Sequence, residues 1–238
     1  MKRHQLNIEE TIVTILTDDK YLKIAKEEIL YQRDILKQYI LKDNLFETSL
    51  LPYTAPNNAP EIIERMFAAS EIAGVGPMAS VAGAIAYFVV KAVREAGADH
   101  IVVDNGGDIA CYIDESITVG IYSGSNNYFN HLGFKINPSD EIIGICTSSS
   151  TVGHSISLGN ADAAIVVCND VILADAMATA LGNEIEVKNQ TVILDTMKQK
   201  MVEGIEGMTV IYDDILCTWG NIPPIILAKE DYEKITKN

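Results

Sequence analysis

The run of apolar and β-branched residues at 11–17 (TIVTILT) is typical of a β-strand. The next residues, Asp18 and Asp19, are well suited to cap a helix, and apolar residues at helical spacing then continue through Lys42. The chain is therefore predicted to open with a strand that is followed by a long amphipathic helix.

The stretch 51–60 (LPYTAPNNAP) interrupts this pattern with three prolines and two asparagines. Such a composition predicts an ordered surface loop or a hinge. Beyond it, Pro60 suits the first turn of a helix that runs to about Ala73, where Gly74 can close the helix in a left-handed conformation. We predict a single domain over residues 1–238, with 51–60 as the hinge if that domain has two lobes.

A second helix is predicted from Met78 to Ala96. It is apolar almost all round until Lys91, and small residues at positions 79, 82, 83, 84 and 86 allow another backbone to approach closely. Lys91 and Arg94 leave the apolar run short of the ~20 residues that a membrane span needs. The pattern favours a central buried helix and no membrane association.

Most of the remaining pattern consists of short strand-like runs. These runs are 101–104, 108–113, 117–122, 131–136, 142–146, 163–167, 208–212 and 215–219, the last two forming a hairpin around Asp213 and Asp214. Helices are predicted over 173–181 and 190–203. Strands interleaved with helix pairs, rather than a regular βαβ alternation, predict an α+β fold with largely antiparallel sheets packed against helices.

Composition narrows the range of possible functions. The 238 residues are 48% hydrophobic and 21% charged, which is typical of a globular protein. With 18 Lys and Arg against 33 Asp and Glu, the net charge of −15 disfavours binding to nucleic acid. The basic N-terminus has no apolar stretch behind it, so we expect a cytoplasmic protein. The four cysteines are widely spaced in apolar runs, as buried reduced thiols are.

The segment 74–79 (GVGPMA) fits the dinucleotide-binding pattern G-x-G-x-x-A, but helical sequence precedes it where that motif requires a strand. Two glycines and a proline still place free backbone N–H groups at the start of the second helix, where an anion or a phosphate could bind near Gly76 and Met78. A tight turn between two helices explains the same residues equally well.

The segment 104–108 (DNGGD) joins two predicted strands. Gly106 and Gly107 allow a ligand to approach the backbone closely beside Asp108. Asn-Gly and Gly-Asp are also ordinary residues of a β-hairpin turn, and this alternative needs no ligand.

The segment 146–154 (CTSSSTVGH) follows another predicted strand and places five hydroxyl groups ahead of a histidine. Such a loop can bind polar ligand atoms. The G-x-S-x-G pattern of a serine hydrolase is absent. His154 can act as a general base, and a structural hydrogen-bonding role is the alternative.

The sharpest pattern is ADAMATAL at 174–181. Asp175 and Thr179 are four residues apart, and so they lie on one face of a helix whose other positions are apolar. A carboxylate and a hydroxyl together suit Mg²⁺, which takes few protein ligands alongside substrate phosphates. The alternative is structural, with the aspartate near a helix N-terminus and the threonine bonded to a carbonyl of the preceding turn.

Four of these segments, in this order, resemble the ApbE superfamily, whose best-known members are Mg²⁺-dependent transferases that take FMN from FAD and attach it to a threonine of a partner protein. The segments are GGDIA at 106–110, CTSS at 146–149, His154 and ADAMATAL. The resemblance implies an α+β fold, FAD or FMN as a ligand, Mg²⁺ held by Asp175 and Thr179, and an acceptor protein. It implies that His154 accepts the proton of the attacking hydroxyl. The nucleotide site would include Gly106, Gly107, Asp108, Thr147 and Ser148, with Gly76 and Met78 at the further anion site.

The chain departs from the family in two places. Ser157 stands where the family's histidine segment has an aspartate, and GVGPMASVAG at 74–83 replaces a lysine–glycine pair. Three functions therefore stay open. They are Mg²⁺-dependent FMN transfer or pyrophosphate cleavage on a flavin nucleotide, a flavin- or nucleotide-binding module without transfer, and a structural homo-oligomer that uses the apolar helix 78–96 as its interface.

Overall fold

An eight-stranded sheet forms the centre of the protein. The computed structural model describes residues 2–8, 11–124, 128–149 and 159–228. In sheet order, and numbered along the chain, the strands are β1 (Lys2–Ile8), β2 (Thr11–Thr17), β3 (Ile101–Asn105), β4 (Asp108–Tyr112), β7 (Ile143–Ser148), β8 (Ala163–Cys168), β9 (Ile205–Tyr212) and β10 (Ile215–Gly220). Every neighbouring pair is antiparallel. The predicted α+β class with antiparallel sheet is confirmed.

A second, three-stranded sheet covers one face of the large sheet. It contains β5 (Ile117–Gly120), β6 (Leu132–Ile136) and β11 (Ile225–Leu227), in the order β11-β6-β5. Alternate residues of the large sheet, such as Cys111 and Ile165, share a buried cluster with Phe134 of β6. Side chains of a strand point alternately to opposite faces, so their neighbours, such as Ala110, lie in the other core.

In the described part of the chain, six α-helices pack on that other face of the sheet and form the core with it. They are α1 (Leu22–Ile40), α2 (Asn44–Thr48), α3 (Glu61–Ala73), α4 (Val81–Glu95), α5 (Val171–Glu184) and α6 (Gln190–Lys200). Helices α4 and α5 pack against each other and against the central strands. The large sheet thus lies between a helical layer and a small second sheet.

Helix α4 confirms the prediction of a central buried helix. A 3-10 turn (Pro77–Ser80) precedes it, and its residues Gly83, Ala84 and Ala86 are buried inside the protein. The stretch Pro77–Glu95 is long and apolar enough to span a membrane by composition, but 56% of it is buried in the fold, as in a core helix. The other two small residues, Ala79 and Ala82, are partly exposed, so the oligomer alternative stays a prediction.

The start of the chain differs from the prediction. Residues 2–8 pair with β2, so a hairpin comes first. Helix α1 begins only at Leu22, after a 3-10 turn, and neither of these elements has a side-chain cap. Asp19 instead forms ion pairs with Lys2 and with His4, where Oδ1 lies 3.2 Å from Nε2. The predicted cap is therefore wrong, because the basic residues of β1 compete for the same carboxylate.

The other local predictions are mostly accurate. Gly74 closes α3 with a φ of 76°, and all four cysteines are free and buried. The loop 51–60 joins α2 to α3, and the Tyr53 hydroxyl donates a hydrogen bond to Asp43 across 2.7 Å. The Tyr53 ring also packs on Phe67, with the ring centres 4.9 Å apart. The hinge and the single domain stay predictions.

Candidate functional site

Asp175 lies in a helix that is buried nearly all round. Asp170 begins α5 and accepts hydrogen bonds from the N–H groups of Ile172 and Leu173, so the helix start is already capped. Asp175 comes one turn later, on the face that meets α4, and only 7% of it is exposed. Its carboxylate is therefore not needed to cap its own helix.

The carboxylate of Asp175 instead meets the N-terminus of α4. The Gly83 N–H donates a hydrogen bond to Asp175 Oδ2 across 2.7 Å, and the Ala82 N–H also faces this carboxylate. A β-carbon at position 83 would lie 2.7 Å from the Asp175 Cβ and 2.9 Å from the Val171 carbonyl oxygen. Glycine is therefore required here, because any side chain would push the two helices apart.

Burial raises the pKa of Asp175 to about 7, against the two backbone N–H groups, which lower it. A carboxylate away from water loses its hydration, and hydrogen bonds from amides replace only part of it. At neutral pH this group is thus poised between its charged and neutral forms, unlike an ordinary surface aspartate.

Asp108, the first residue of β4, is the second buried carboxylate. It accepts a hydrogen bond from the Thr147 N–H across 3.2 Å, and only 9% of it is exposed. Its pKa is raised well above the usual value, first by burial and next by repulsion from the charge of Asp175. The two carboxylates, which come from β4 and α5, therefore share one buried site.

Cys146 of β7 lies beside both carboxylates. Burial raises the pKa of its thiol, and the charges of Asp108 and Asp175 raise it further. The sulfur lies 3.6 Å from the carbonyl oxygen of Val171, to which the thiol donates. Burial and the two neighbouring carboxylates thus favour the neutral form of this thiol.

The predicted glycine pair forms the turn of the β3–β4 hairpin. Gly106 and Gly107 have φ values of 71° and 104°, and the Gly107 N–H donates to Asp104 Oδ1 across 3.0 Å. Two consecutive positive φ values are typical of tight hairpin turns. The hairpin interpretation therefore explains the local structure without a ligand. The turn also places Asp108, the next residue, in the buried site.

The end of β7 also lies beside this turn. A β-carbon on Gly107 would lie 3.9 Å from the Thr147 Cβ, so the glycine turn and Thr147 are neighbours. Ser148 is buried, and its Oγ faces Gly182 on α5. Thr179 is half-buried, one turn beyond Asp175. Five predicted site residues, Gly107, Asp108, Thr147, Ser148 and Asp175, are thus held by three adjoining elements.

The donor set fits a hard cation. Two buried carboxylates repel each other, and a divalent ion would remove that repulsion. Within residues 2–8, 11–124, 128–149 and 159–228, no three His, Cys, Asp or Glu side chains form a metal-binding group. Mg²⁺ does not require one, because it binds through one or two carboxylates and keeps waters or substrate phosphates as its other ligands.

Gly76 and Met78 have a packing explanation. A β-carbon on Gly76 would overlap the carbonyl oxygen of Ser49, so this glycine lets α2 and the 3-10 turn approach closely. Met78 is half-buried and packs against the helical core. These contacts are those of the tight-turn alternative, and an anion site at these two residues stays a prediction.

His154 lies outside the residues that the structure describes, and its predicted role is untested. The sequence reasoning also missed two residues of the site, Gly83 and Asn105. Asn105 is buried and its Nδ2 donates to the Ala82 carbonyl oxygen across 3.1 Å. Its position inside DNGGD marked it as part of a candidate ligand-binding turn, but a turn motif does not predict which helix the Asn105 side chain contacts.

Similar sequences extend over the whole chain. A UPF0280 protein of Methanosarcina acetivorans is 47% identical over 238 residues, covering 100% of this chain and 93% of the relative. One from Methanocella arvoryzae is 46% identical and covers 99% and 96% of the two chains. One from Archaeoglobus fulgidus is 43% identical, with both chains covered completely.

Solved structures share the fold at low identity. The apo flavinyl transferase ApbE of Pseudomonas stutzeri has a TM-score of 0.53 at 11% identity, over 100% of this chain and 97% of the other. The ApbE protein of Thermotoga maritima has a TM-score of 0.58 at 9% identity, with both chains covered completely. A family model described as AbpE bacteria matches residues 1–202. Fold and sequence therefore agree with the resemblance seen in the sequence, and the chain belongs to the AbpE bacteria family.

Proposed function

We propose that this protein is a Mg²⁺-dependent enzyme that acts on a flavin nucleotide such as FAD, either transferring FMN to an acceptor or cleaving the pyrophosphate. The observation that carries this proposal is the buried pair of carboxylates, Asp108 and Asp175. Membership of the AbpE bacteria family and a fold shared with a flavinyl transferase support it. The protein would act in the cytoplasm, on a small nucleotide and an acceptor protein.

The proposed ligands of the ion are Asp175 and Thr179. When bound, Mg²⁺ would offset the negative charge of the pyrophosphate and stabilise the leaving group. Asp175 keeps acceptor capacity for this role, because a carboxylate has about four acceptor positions and the Gly83 and Ala82 N–H groups occupy two of them. The turn Gly106–Gly107 would lie against the nucleotide, with Thr147 and Ser148 beside it.

The proposed reaction is substitution at the phosphorus on the FMN side of the pyrophosphate. A hydroxyl oxygen of the acceptor forms the new P–O bond, the bond from that phosphorus to the AMP oxygen breaks, and AMP leaves. His154 would take the proton of the attacking hydroxyl, as the family resemblance implies. If water attacks instead, the products are FMN and AMP.

A second candidate is a module that binds the nucleotide without transferring FMN. The segment 74–83 favours it, because this segment replaces the family's lysine–glycine pair, and Gly76 there packs tightly on Ser49. Bound FAD that is never converted to AMP and FMN would support this alternative.

The experiment is calorimetric titration with FAD, FMN and ADP, each with and without Mg²⁺. The wild type should bind FAD more tightly with Mg²⁺, and Asp175→Asn should lose this enhancement because the amide carries no charge for the cation. Asp170→Asn is the matched control: it makes the same change on the same helix, and asparagine still caps helices well. Chromatographic detection of AMP then separates the enzyme from the binding module. Equal Mg²⁺ dependence in Asp175→Asn would refute the metal assignment.

A further inference from the structure

A single peptide group connects Asn105 to Asp175. Asn105 Nδ2 donates to the Ala82 carbonyl oxygen across 3.1 Å, and the Gly83 N–H donates to Asp175 Oδ2 across 2.7 Å. This carbonyl and this N–H belong to the same peptide bond, which is planar and points its two polar groups in opposite directions. A continuous hydrogen-bonded path therefore runs from β3 through the first turn of α4 to α5.

Both ends of this path are fixed to rigid elements. Asn105 pairs with Val13 and Asp108 in the central sheet and is only 6% exposed. Asp175 is in the middle of α5, packed so closely on Gly83 that no side chain fits between them. The peptide between them lies in the first turn of α4, and Asn105 donates to its carbonyl oxygen.

We infer that Asn105 is a positioning residue that fixes the carboxylate of Asp175 through the Ala82–Gly83 peptide. The Gly83 N–H is among the first N–H groups of α4, which have no partner inside the helix, and Asp175 supplies that partner. The amide of Asn105 holds the opposite side of the peptide plane and thereby aims that N–H at Oδ2. This holds the carboxylate in one orientation before any ligand binds.

The consequence for the site rests on the proposed function. Groups that orient a metal ligand from outside the coordination sphere matter for affinity, and losing one costs roughly 10- to 100-fold in metal binding. Hydrogen bonds in a chain also polarise one another, so removal of the first weakens the next. Asn105 would therefore control cation affinity without touching the cation.

The test measures the metal-free protein and the Mg²⁺ complex separately. In the metal-free protein, Asn105→Ala should make the Gly83 amide exchange its hydrogen faster in NMR experiments. In titrations with Mg²⁺ alone, the same variant should bind roughly 10-fold more weakly or worse. If Asn105→Ala fails to fold, Asn105→Asp keeps the size of the side chain but places an acceptor against the Ala82 carbonyl, and the same two effects are expected.

Thr17→Val is the matched control. Thr17 is fully buried and its Oγ1 donates to the backbone carbonyl of His100 across 3.3 Å, so this variant also loses a buried side-chain to backbone hydrogen bond. It should lower the melting temperature without changing Gly83 exchange or Mg²⁺ affinity. A purely structural Asn105 would behave like Thr17.

The outcomes distinguish this inference from the proposed function. If Asp175→Asn abolishes Mg²⁺ binding while Asn105→Ala changes neither Gly83 exchange nor affinity, the positioning role is wrong and the metal site stands. If Asp175→Asn leaves Mg²⁺ binding unchanged, the metal site is wrong. Faster Gly83 exchange in Asn105→Ala would then still support the path to the carboxylate, and unchanged exchange would overturn it as well.

Discussion

Two hairpin turns of the same sheet place aspartates in opposite environments. In the β9–β10 turn, Lys188 Nζ lies 3.0 Å from Asp213 Oδ2 and 2.6 Å from Asp214 Oδ1. The exposed Asp214 has a lowered pKa because Lys188 donates to it. In the β3–β4 turn, the pKa of Asp108 is raised by burial and by the charge of Asp175.

The comparison shows aspartate in two roles, one in an exposed ion pair and one in a buried pair of carboxylates. Both turns are two residues long, and both contain left-handed backbone, at Asp213 with a φ of 50° and at Gly106 with a φ of 71°. In the β9–β10 turn, the outer turn, Lys188 neutralises negative charge of the aspartates. In the β3–β4 turn, the inner turn, the second carboxylate of Asp175 adds to the negative charge of Asp108. A buried charge without an opposite charge beside it destabilises a fold. Such groups are found mainly at sites that bind a ligand or catalyse a reaction.

The largest expected effect concerns the pH dependence of stability. Because the folded-state pKa of Asp175 is raised from 3.8 to about 7, its contribution is full below pH ~4 and is lost as the pH rises through 7. At about 1.4 kcal/mol per unit, the metal-free protein should lose roughly 4 kcal/mol over this range. Asp175→Asn should remove most of that loss.

Urea unfolding at pH 4 and pH 8 in the presence of a chelator measures this difference. Asp170→Asn should keep the wild-type pH dependence, because the Asp170 side chain is partly exposed and caps the N-terminus of its own helix. An equal pH dependence in Asp175→Asn and wild type would mean that the buried pair does not carry the charge assigned to it.

The second expected effect concerns the backbone of the inner turn. Gly107→Ala should destabilise the protein by about 1–2 kcal/mol, because a φ of 104° strains any L side chain. The added carbon has room, with the nearest atom 3.9 Å away, so the loss would report backbone strain alone. Gly120→Ala is the control, because position 120 has open space and no positive φ. Equal unfolding free energies for the two variants would contradict this explanation.

The smallest expected effect concerns the outer turn. Lys188→Gln should raise the pKa of Asp214 towards its ordinary value, because the donor that lowers it is gone. The stability that this ion pair adds at neutral pH is lost as the pH falls, so the variant should be less sensitive to acid. Carboxyl titration by NMR measures the shift, while the pKa of Asp108 should stay raised. An unchanged pKa of Asp214 would show that Lys188 is not the cause.

The strands and helices with regular apolar spacing were predictable from the sequence. Three short elements, β1, α2 and β11, were not, and β1 explains why. Its sequence KRHQLNI is mostly polar and exposed, as a basic tail would be, and it forms a strand because it pairs with β2 at the edge of the sheet. An edge strand depends on its neighbour more than on its own pattern.

The candidate site was predictable in part. The spacing of Asp175 and Thr179 placed both on one helix, and α5 contains both. The sequence also offered Asp108, but only as part of a glycine turn that could contact a nucleotide. The sequence could not reveal that Asp108 and Asp175 share one buried site, because 66 residues lie between them along the chain.

The sequence by itself determined the α+β class, the buried cysteines, the central apolar helix and the helix that carries Asp175. These features depend on local periodicity and on the partition of apolar residues away from water. Only the tertiary structure decided that Asp175 binds the start of α4, that Asn105 holds the same peptide from the other side, and that Asp108 faces a second carboxylate. Charge and hydrogen-bond partners act over a few ångströms in space, and chain folding alone brings β3, β4, α4 and α5 within that range.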